Sequence, residues 1–188
     1  MLTGQDRNLY DDSELVSLAS NGDTRAFETL LGRHRGRILR ICLRMLGNRV
    51  EAEEAAQDSF VKVYYHLKDY DTSRDFSIWS ASIALNECRD RLRRRSRMGR
   101  LFRDLSEADR GKIDVENKES EDNEEKLGAV EEALTQLPEQ LREVITLKAY
   151  GELSYEEIAK ILNIRIGTVM SRLFRARQKL TDIINRGK

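Results

Sequence analysis

LSYEEIAKILNIRIGTVMSRLFRARQKL, residues 153–180, reads as two helices joined by a short turn. Ser154 is an N-cap residue, and Glu157 three positions later completes a capping box. Ile158, Ala159, Ile161 and Leu162 then recur at helical spacing. Asn163 ends the first helix, because its short amide side chain tolerates turn geometry. The second helix starts near Gly167-Thr168. Its apolar stripe is Val169, Leu173, Ala176 and Leu180, and its other face carries Thr168, Ser171, Arg172, Arg175 and Arg177. A tight connection, an apolar inner face and an arginine-rich outer face describe a helix-turn-helix whose second helix is suited to the major groove. The plainer alternative is an amphipathic hairpin with a solvated basic face. Small hydroxyl residues at the helix start, followed by arginines on the same exposed stripe, favour the first reading.

Outward from this hairpin, the composition sets the fold class. Aromatic residues make up only 6% of the 188 positions and there is one proline, a mix that suits helices rather than a sandwich or barrel. The 33 basic and 33 acidic residues cancel, but they are unevenly placed. Arginines cluster at 89–103 and 165–177, and acids crowd 104–125, so a neutral total hides two basic patches with an acidic segment between them. No apolar run approaches the ~18 residues of a membrane helix, and the polar, acidic start MLTGQDRNLYDDSE is wrong for a signal peptide. Cys42 and Cys88 lie within helical patterns, far apart in sequence. Buried free thiols in a cytoplasmic protein are the simplest account, and a redox switch is the minor one.

From the N-terminus, a helix is predicted from about Asp12 to Ser20, broken by Asn21-Gly22-Asp23. A long one follows from Thr24 to about Leu46, stopped by Gly47-Asn48. The third, from Glu51 to about Leu67, opens on acids that complement the helix dipole. Glu54, Gln57 and Asp58 share one of its faces at spacings of three and four, while Ala55, Ala56, Phe60, Val63 and Leu67 form its apolar side. Paired carboxylates can bind metal, but neither His34 nor His66 has a Glu three residues before it, so no metal site and no cofactor are expected.

A polar loop, 69–75, then leads to a helix capped by Asp75 or Ser77 and running to about Arg97. Phe76, Trp79, Ile83, Ala84, Cys88 and Leu92 have core spacing, with Trp79 read as packing. Asn86, Arg89, Asp90, Arg93 and Arg94 lie toward the other side. A helix that turns basic at one end, behind a loop with aromatics, fits nucleic-acid contact, although cations at a helix C-terminus also complement the dipole. Helical periodicity is lost from Gly99 to about Glu125, apart from a short amphipathic piece near 101–105. It resumes from Lys126 to Gln136, and again after Pro138 to a helix ending at Gly151, a C-cap residue. The expected fold is all-α, with two small helical domains, 1–98 and 126–188, joined by a flexible acidic linker, 99–125.

In order and spacing, these segments resemble the sigma factors of bacterial RNA polymerase, in the small extracytoplasmic-function group. RMLGNRVEAEEAAQDSFVKVY is similar to that family's core-polymerase-binding segment, and DFSIWSASIALNECRDRLRR to its downstream-promoter segment. LPEQLREVITLKAYGELSYEEIAKILNIRIGTVMSRLFRARQKL resembles its upstream-promoter segment. The resemblance covers nearly the whole chain, from about Ser13 to Leu180. It implies that Glu54, Gln57, Asp58 and Phe60 dock on the clamp helices of the largest polymerase subunit. It implies that the loop with Tyr70, Arg74 and Phe76 takes a flipped base of the minus-ten element, and that Asn86, Arg89, Asp90 and Arg93 hold that DNA. Arg165, Thr168, Ser171, Arg172, Phe174 and Arg175 would meet the minus-thirty-five element. Met170 stands where that family frequently has a polar or basic residue. The implied partners are core RNA polymerase, promoter DNA and an anti-sigma factor, with no membrane insertion. The competing readings are an ordinary helix-turn-helix regulator, which would be a dimer on a palindrome, and a protein-only adaptor with basic faces. An enzyme is least expected, since there is no phosphate-cradling glycine loop, metal-ligand spacing or nucleophile–base pair.

Overall fold

The computed structural model describes residues 9–71, 74–105 and 130–186. Within them lie α1 (Asp12–Ser20), α2 (Thr24–Leu46), α3 (Arg49–His66), a 3-10 turn (Leu67–Asp69) and α4 (Phe76–Leu105). A helix over 130–135, here α5, is followed by α6 (Glu139–Ala149), α7 (Tyr155–Leu162) and α8 (Ile166–Arg186). The fold is all-α, and no strand occurs among the described residues.

Local chemistry sets most boundaries. Asp11 and Glu14 form a reciprocal capping box on α1, and Ser154 and Glu157 form another on α7. The side chains of Asp23 and Asn48 cap α2 and α3, and the Asp75 carboxylate accepts from Ser77 N–H at the start of α4. Asn163 closes α7 in the left-handed conformation at φ 52°, as its position predicts.

Two boundaries differ from expectation. Helix α4 continues to Leu105, past the break expected at Gly99, so the short helical piece near 101–105 is its last turn. The rest of the expected acidic linker, 106–125, lies outside the described residues. Gly151 is not the left-handed cap: α6 ends at Ala149, and the positive φ of 58° falls on Glu152. Gly151 serves close approach instead, since a Cβ there would stand 2.6 Å from the Leu147 carbonyl oxygen.

Ile38, Ile41, Cys42, Met45 and Leu46 of α2 pack with Ala52, Ala55 and Ala56 of α3 and Ala84, Leu85 and Cys88 of α4. The same cluster contains Val144, Leu147, Leu153, Ile158, Val169 and Leu173, so the two halves share one core. Each fully buried Leu or Ile contributes about 1.5–3 kcal/mol of transfer free energy. A second cluster gathers Leu15, Val16, Leu30, Val63, Leu67 and Phe76 at the far end of α2, and a third seats Leu134 and Leu137 on Ala176.

Polar contacts reinforce the shared core. Arg142, 9% exposed, donates to the carbonyls of Met45 (2.8 Å), Leu137 (3.0 Å) and Thr135 (2.5 Å), and burial lowers its pKa. Arg44 pairs with Glu131, and its guanidinium lies 4.6 Å from the centroid of the Tyr150 ring. Arg37 and Arg40 reach Glu152 at 3.7 and 3.6 Å. Gly47 ends α2 at φ 70°, and a Cβ there would meet the Thr135 methyl at 2.2 Å. Cys42 and Cys88 are free, fully buried and in contact. The hydrogen bond from one thiol to the other, together with burial, pushes the Cys88 thiol far up, which leaves it inert as a nucleophile.

Candidate nucleic-acid and polymerase interfaces

Three surfaces hold the candidate residues. The first is the acidic face of α3. Glu54, Gln57 and Asp58 are exposed there, while Phe60 is half-buried against the main core. Arg91 of α4 crosses to this face and bonds Glu54 (3.0 Å), Asp58 (2.5 Å) and Glu87 (3.0 Å). Burial pulls the Arg91 pKa down, but these three carboxylates more than reverse that and hold it above the ordinary guanidinium range. Glu87, itself buried, also takes Lys62 of α3 at 2.5 Å. The acidic face is therefore held in place from α4. Sequence reasoning missed the reach of Arg91 to α3 because its two carboxylates there lie 33 and 37 residues away.

The second surface is the loop before α4 and the start of that helix. Tyr70 is half-buried, with its ring centroid 4.6 Å from that of Trp79 and 5.9 Å from that of Phe76, and its hydroxyl donates to the Arg74 carbonyl. Burial, with Asp75 and Asp71 nearby, raises its pKa to about 12. Arg74 is exposed and pairs with Asp71 at 3.3 Å. Phe76 follows its core spacing rather than the loop contact that the resemblance implies: it is 4% exposed and packs edge-on against His34, ring centroids 5.0 Å apart, so it supports the loop from below. As the first residue of α4 it faces the helix bundle. Trp79 packs as expected.

Further along α4, Asn86, Asp90 and Arg93 are exposed, and Arg93 lies 3.7 Å from Asp90. Arg89 departs from that pattern. Its Nε donates to Glu143 of α6, a residue 4% exposed, and its Nη1 reaches Asn86 Oδ1 at 3.3 Å. In this conformation the C-terminal half occupies one of the expected downstream contacts. Beside it, Leu92, Arg93, Ser96 and Arg97 form a cleft with Glu139.

The third surface is α8. Val169, Leu173 and Ala176 are buried as the stripe predicts, and α7 and α6 pack on that side. Arg175 is exposed, Thr168, Ser171 and Arg172 are half-exposed, and the Ser171 hydroxyl donates back to the Thr168 carbonyl at 3.1 Å. Arg165, in the turn before the helix, is exposed. Among the described residues Arg165, Arg172, Arg175 and Arg177 make no ion pair, whereas Arg89, Arg91 and Arg93 of α4 all do. Uncompensated positive charge at the open face of a helix-turn-helix suits a polyanion.

Comparison with known proteins agrees in order and extent. Residues 30–98 match the Sigma-70 region 2 model, and residues 127–180 the Sigma-70, region 4 model. The chain is 33% identical over 176 residues to the RNA polymerase sigma-H factor of Pseudomonas aeruginosa, covering 90% of this chain and 91% of that one. It is 33% identical over 172 residues to the ECF RNA polymerase sigma factor SigW of Bacillus subtilis, covering 88% and 92%. Among solved structures, the sigma factor RpoE of Bartonella quintana, in complex with the anti-sigma factor NepR, superposes with a TM-score of 0.67 at 25% identity. That match covers 85% of this chain and 96% of that one.

Proposed function

The chain belongs to the extracytoplasmic-function sigma factors, and from that premise we propose how its surfaces divide the work. The protein joins core RNA polymerase and directs promoter-specific initiation of transcription. Residues 1–98 take the polymerase and the minus-ten element, 126–188 take the minus-thirty-five element, and 99–125 connect them, with α4 running on into that connection. Glu54, Gln57, Asp58 and the inner support of Phe60 meet the polymerase clamp helices. Tyr70, Arg74, Asn86, Arg89, Asp90 and Arg93 hold the melted downstream strand. Arg165, Thr168, Ser171, Arg172, Phe174 and Arg175 engage the upstream duplex. No catalytic role is assigned, and the protein acts in the cytoplasm.

The observation that carries this reading is the set of arginines on α8 that make no ion pair among the described residues, in a chain whose α3 presents an acidic face. Phosphate neutralisation by such arginines makes affinity fall steeply with salt. A bidentate arginine on guanine contributes about 1–3 kcal/mol of discrimination. Extracting a base costs a few kcal/mol of unstacking, which the Tyr70 loop must offset. Two modest readers gain through effective concentration once polymerase sets their separation. Control by an anti-sigma factor is supported by the Bartonella relative, solved with such a partner. Run-off transcription with purified core polymerase on a promoter library tests the assignment. A product that depends on this chain is expected, and none from any template would overturn it.

A further inference from the structure

Three large apolar side chains stand out of α8 at intervals of four residues. Ile166 is 42% exposed, Met170 54% and Phe174 61%. Four residues advance about 6 Å along an α-helix and turn slightly more than once around it, so the three form a ridge about 12 Å long. The ridge shares its side of the helix with Arg177, seven residues on from Met170, and Arg175 lies about 100° around from Phe174; both arginines are exposed and make no ion pair among the described residues. A protein partner covering it would desolvate those cations unless it brought matching carboxylates. DNA meets both features at once, since phosphates flank a groove floor on which one base alone, thymine, shows a methyl group. About 12 Å of ridge corresponds to three or four base pairs at 3.4 Å each.

We propose that Ile166, Met170 and Phe174 select the upstream element by packing on thymine 5-methyl groups in the major groove. This rests on the reading of α8 as the upstream DNA reader. The arginines hold the helix against the phosphates, and the ridge supplies the preference at adenine–thymine pairs. An adenine–thymine pair then scores according to which strand carries its methyl. Each methyl removed from water against the ridge changes affinity by about three- to fourfold, the size expected for one buried methyl-sized group.

The test uses holoenzyme assembled from this chain and core polymerase. The upstream element is first selected from a randomised library, then synthesised with deoxyuridine in place of thymidine, which removes the methyl alone. Initiation should fall about three- to fourfold for each thymine under the ridge, and remain unchanged when the same replacement is made in the spacer. With Met170→Ala, the ratio between thymidine and deoxyuridine templates should move toward one. A selected element lacking thymine on both strands would overturn the proposal, as would equal initiation on the two templates. So would a Met170→Ala loss of equal size on both, which is the behaviour of a ridge that docks a protein. Those outcomes leave run-off transcription intact. Absence of run-off on the thymidine template would instead remove the sigma-factor assignment and this proposal together. The template comparison needs no variant, so a misfolded Met170→Ala chain would not blunt it.

Discussion

The guanidinium of Arg89 on α4 donates to the carboxylate of Glu143 on α6, joining the two halves of the chain through a residue also assigned to the downstream promoter strand. The Glu143 side chain is 5% exposed and that of Arg89 21%, so removing either partner has unequal consequences. Arg89→Ala strands a buried carboxylate and should cost about 3–5 kcal/mol. Glu143→Gln leaves Arg89 able to turn toward solvent and should cost less, about 1–3 kcal/mol. Urea titrations of both variants would measure the difference. Glu143→Gln should also raise, several-fold, the affinity of the isolated chain for a single-stranded downstream-element oligonucleotide. An unchanged Kd would mean that Arg89 does not touch that strand.

Arg142 serves three carbonyls at once, one of them 97 residues away at Met45. Lysine cannot reproduce that fork, and methionine would leave all three acceptors without their donor. Arg142→Lys should destabilise the chain by about 1–3 kcal/mol and Arg142→Met by more. Limited proteolysis of either variant should cut between the halves faster than in the parent. Equal cutting rates would show that this cation does not hold the halves together.

Stability should also depend on acid in a defined direction. Burial alone would raise the Glu87 pKa, but Lys62 and Arg91 more than reverse it, so Glu87 titrates below the ordinary 4.5. Asp75 is lowered likewise: the hydrogen bonds from Ser77 and Ile78 outweigh its burial. A folded pKa below the unfolded one stabilises the fold above the ordinary carboxyl range, and that contribution is lost as pH falls through the range toward the folded value. Urea midpoints should therefore be flat near neutrality and fall below about pH 4.5. Glu87→Gln should lower the neutral plateau and make the acid limb shallower. An identical acid limb in the variant would remove Glu87 as its source.

Arg172→Ala and Arg175→Ala should each weaken holoenzyme binding to the upstream element. If they meet phosphates, each should reduce the slope of log affinity against log salt by about one, with little effect on sequence preference. If either reads a guanine, its loss should instead relax preference at one base pair, at a cost of about 1–3 kcal/mol. Binding measured across a salt series on matched and mismatched elements separates the two.

What was legible in the sequence followed the range of its signals. The capping box at Ser154 acts over three residues, and the buried stripe Val169–Leu173–Ala176 follows the helical period, so α7 and α8 could be placed from local pattern. The exposed arginines of α8 follow from the same period. Helix α4 outran its expected end because helical periodicity fades from Gly99 onward, yet the helix carries on through that glycine, which costs only about 1 kcal/mol inside a long helix. Phe76 has core spacing on α4 and is buried there, and only the resemblance placed it among the DNA contacts. The pairings Arg89–Glu143, Arg44–Glu131 and Arg91–Asp58 have no local signature, because each partner sits on a different helix. The shared core was invisible for the same reason: each half has an apolar stripe, and nothing in a stripe names its mate.

Gly47 carries a consequence for how this chain tolerates mutation. Its left-handed φ excludes side chains at little distance from any partner, and the Thr135 methyl closes the space that one would need. The Thr135 hydroxyl holds the Glu132 carbonyl at 2.7 Å, which fixes the rotamer and leaves that methyl nowhere to retreat. Shrinking residue 135 lifts only the steric half of the restriction, while the backbone half stays. Positions 47 and 135, 88 residues apart, therefore drift as a linked pair with one nearly frozen member: 135 can vary in size only while 47 remains glycine.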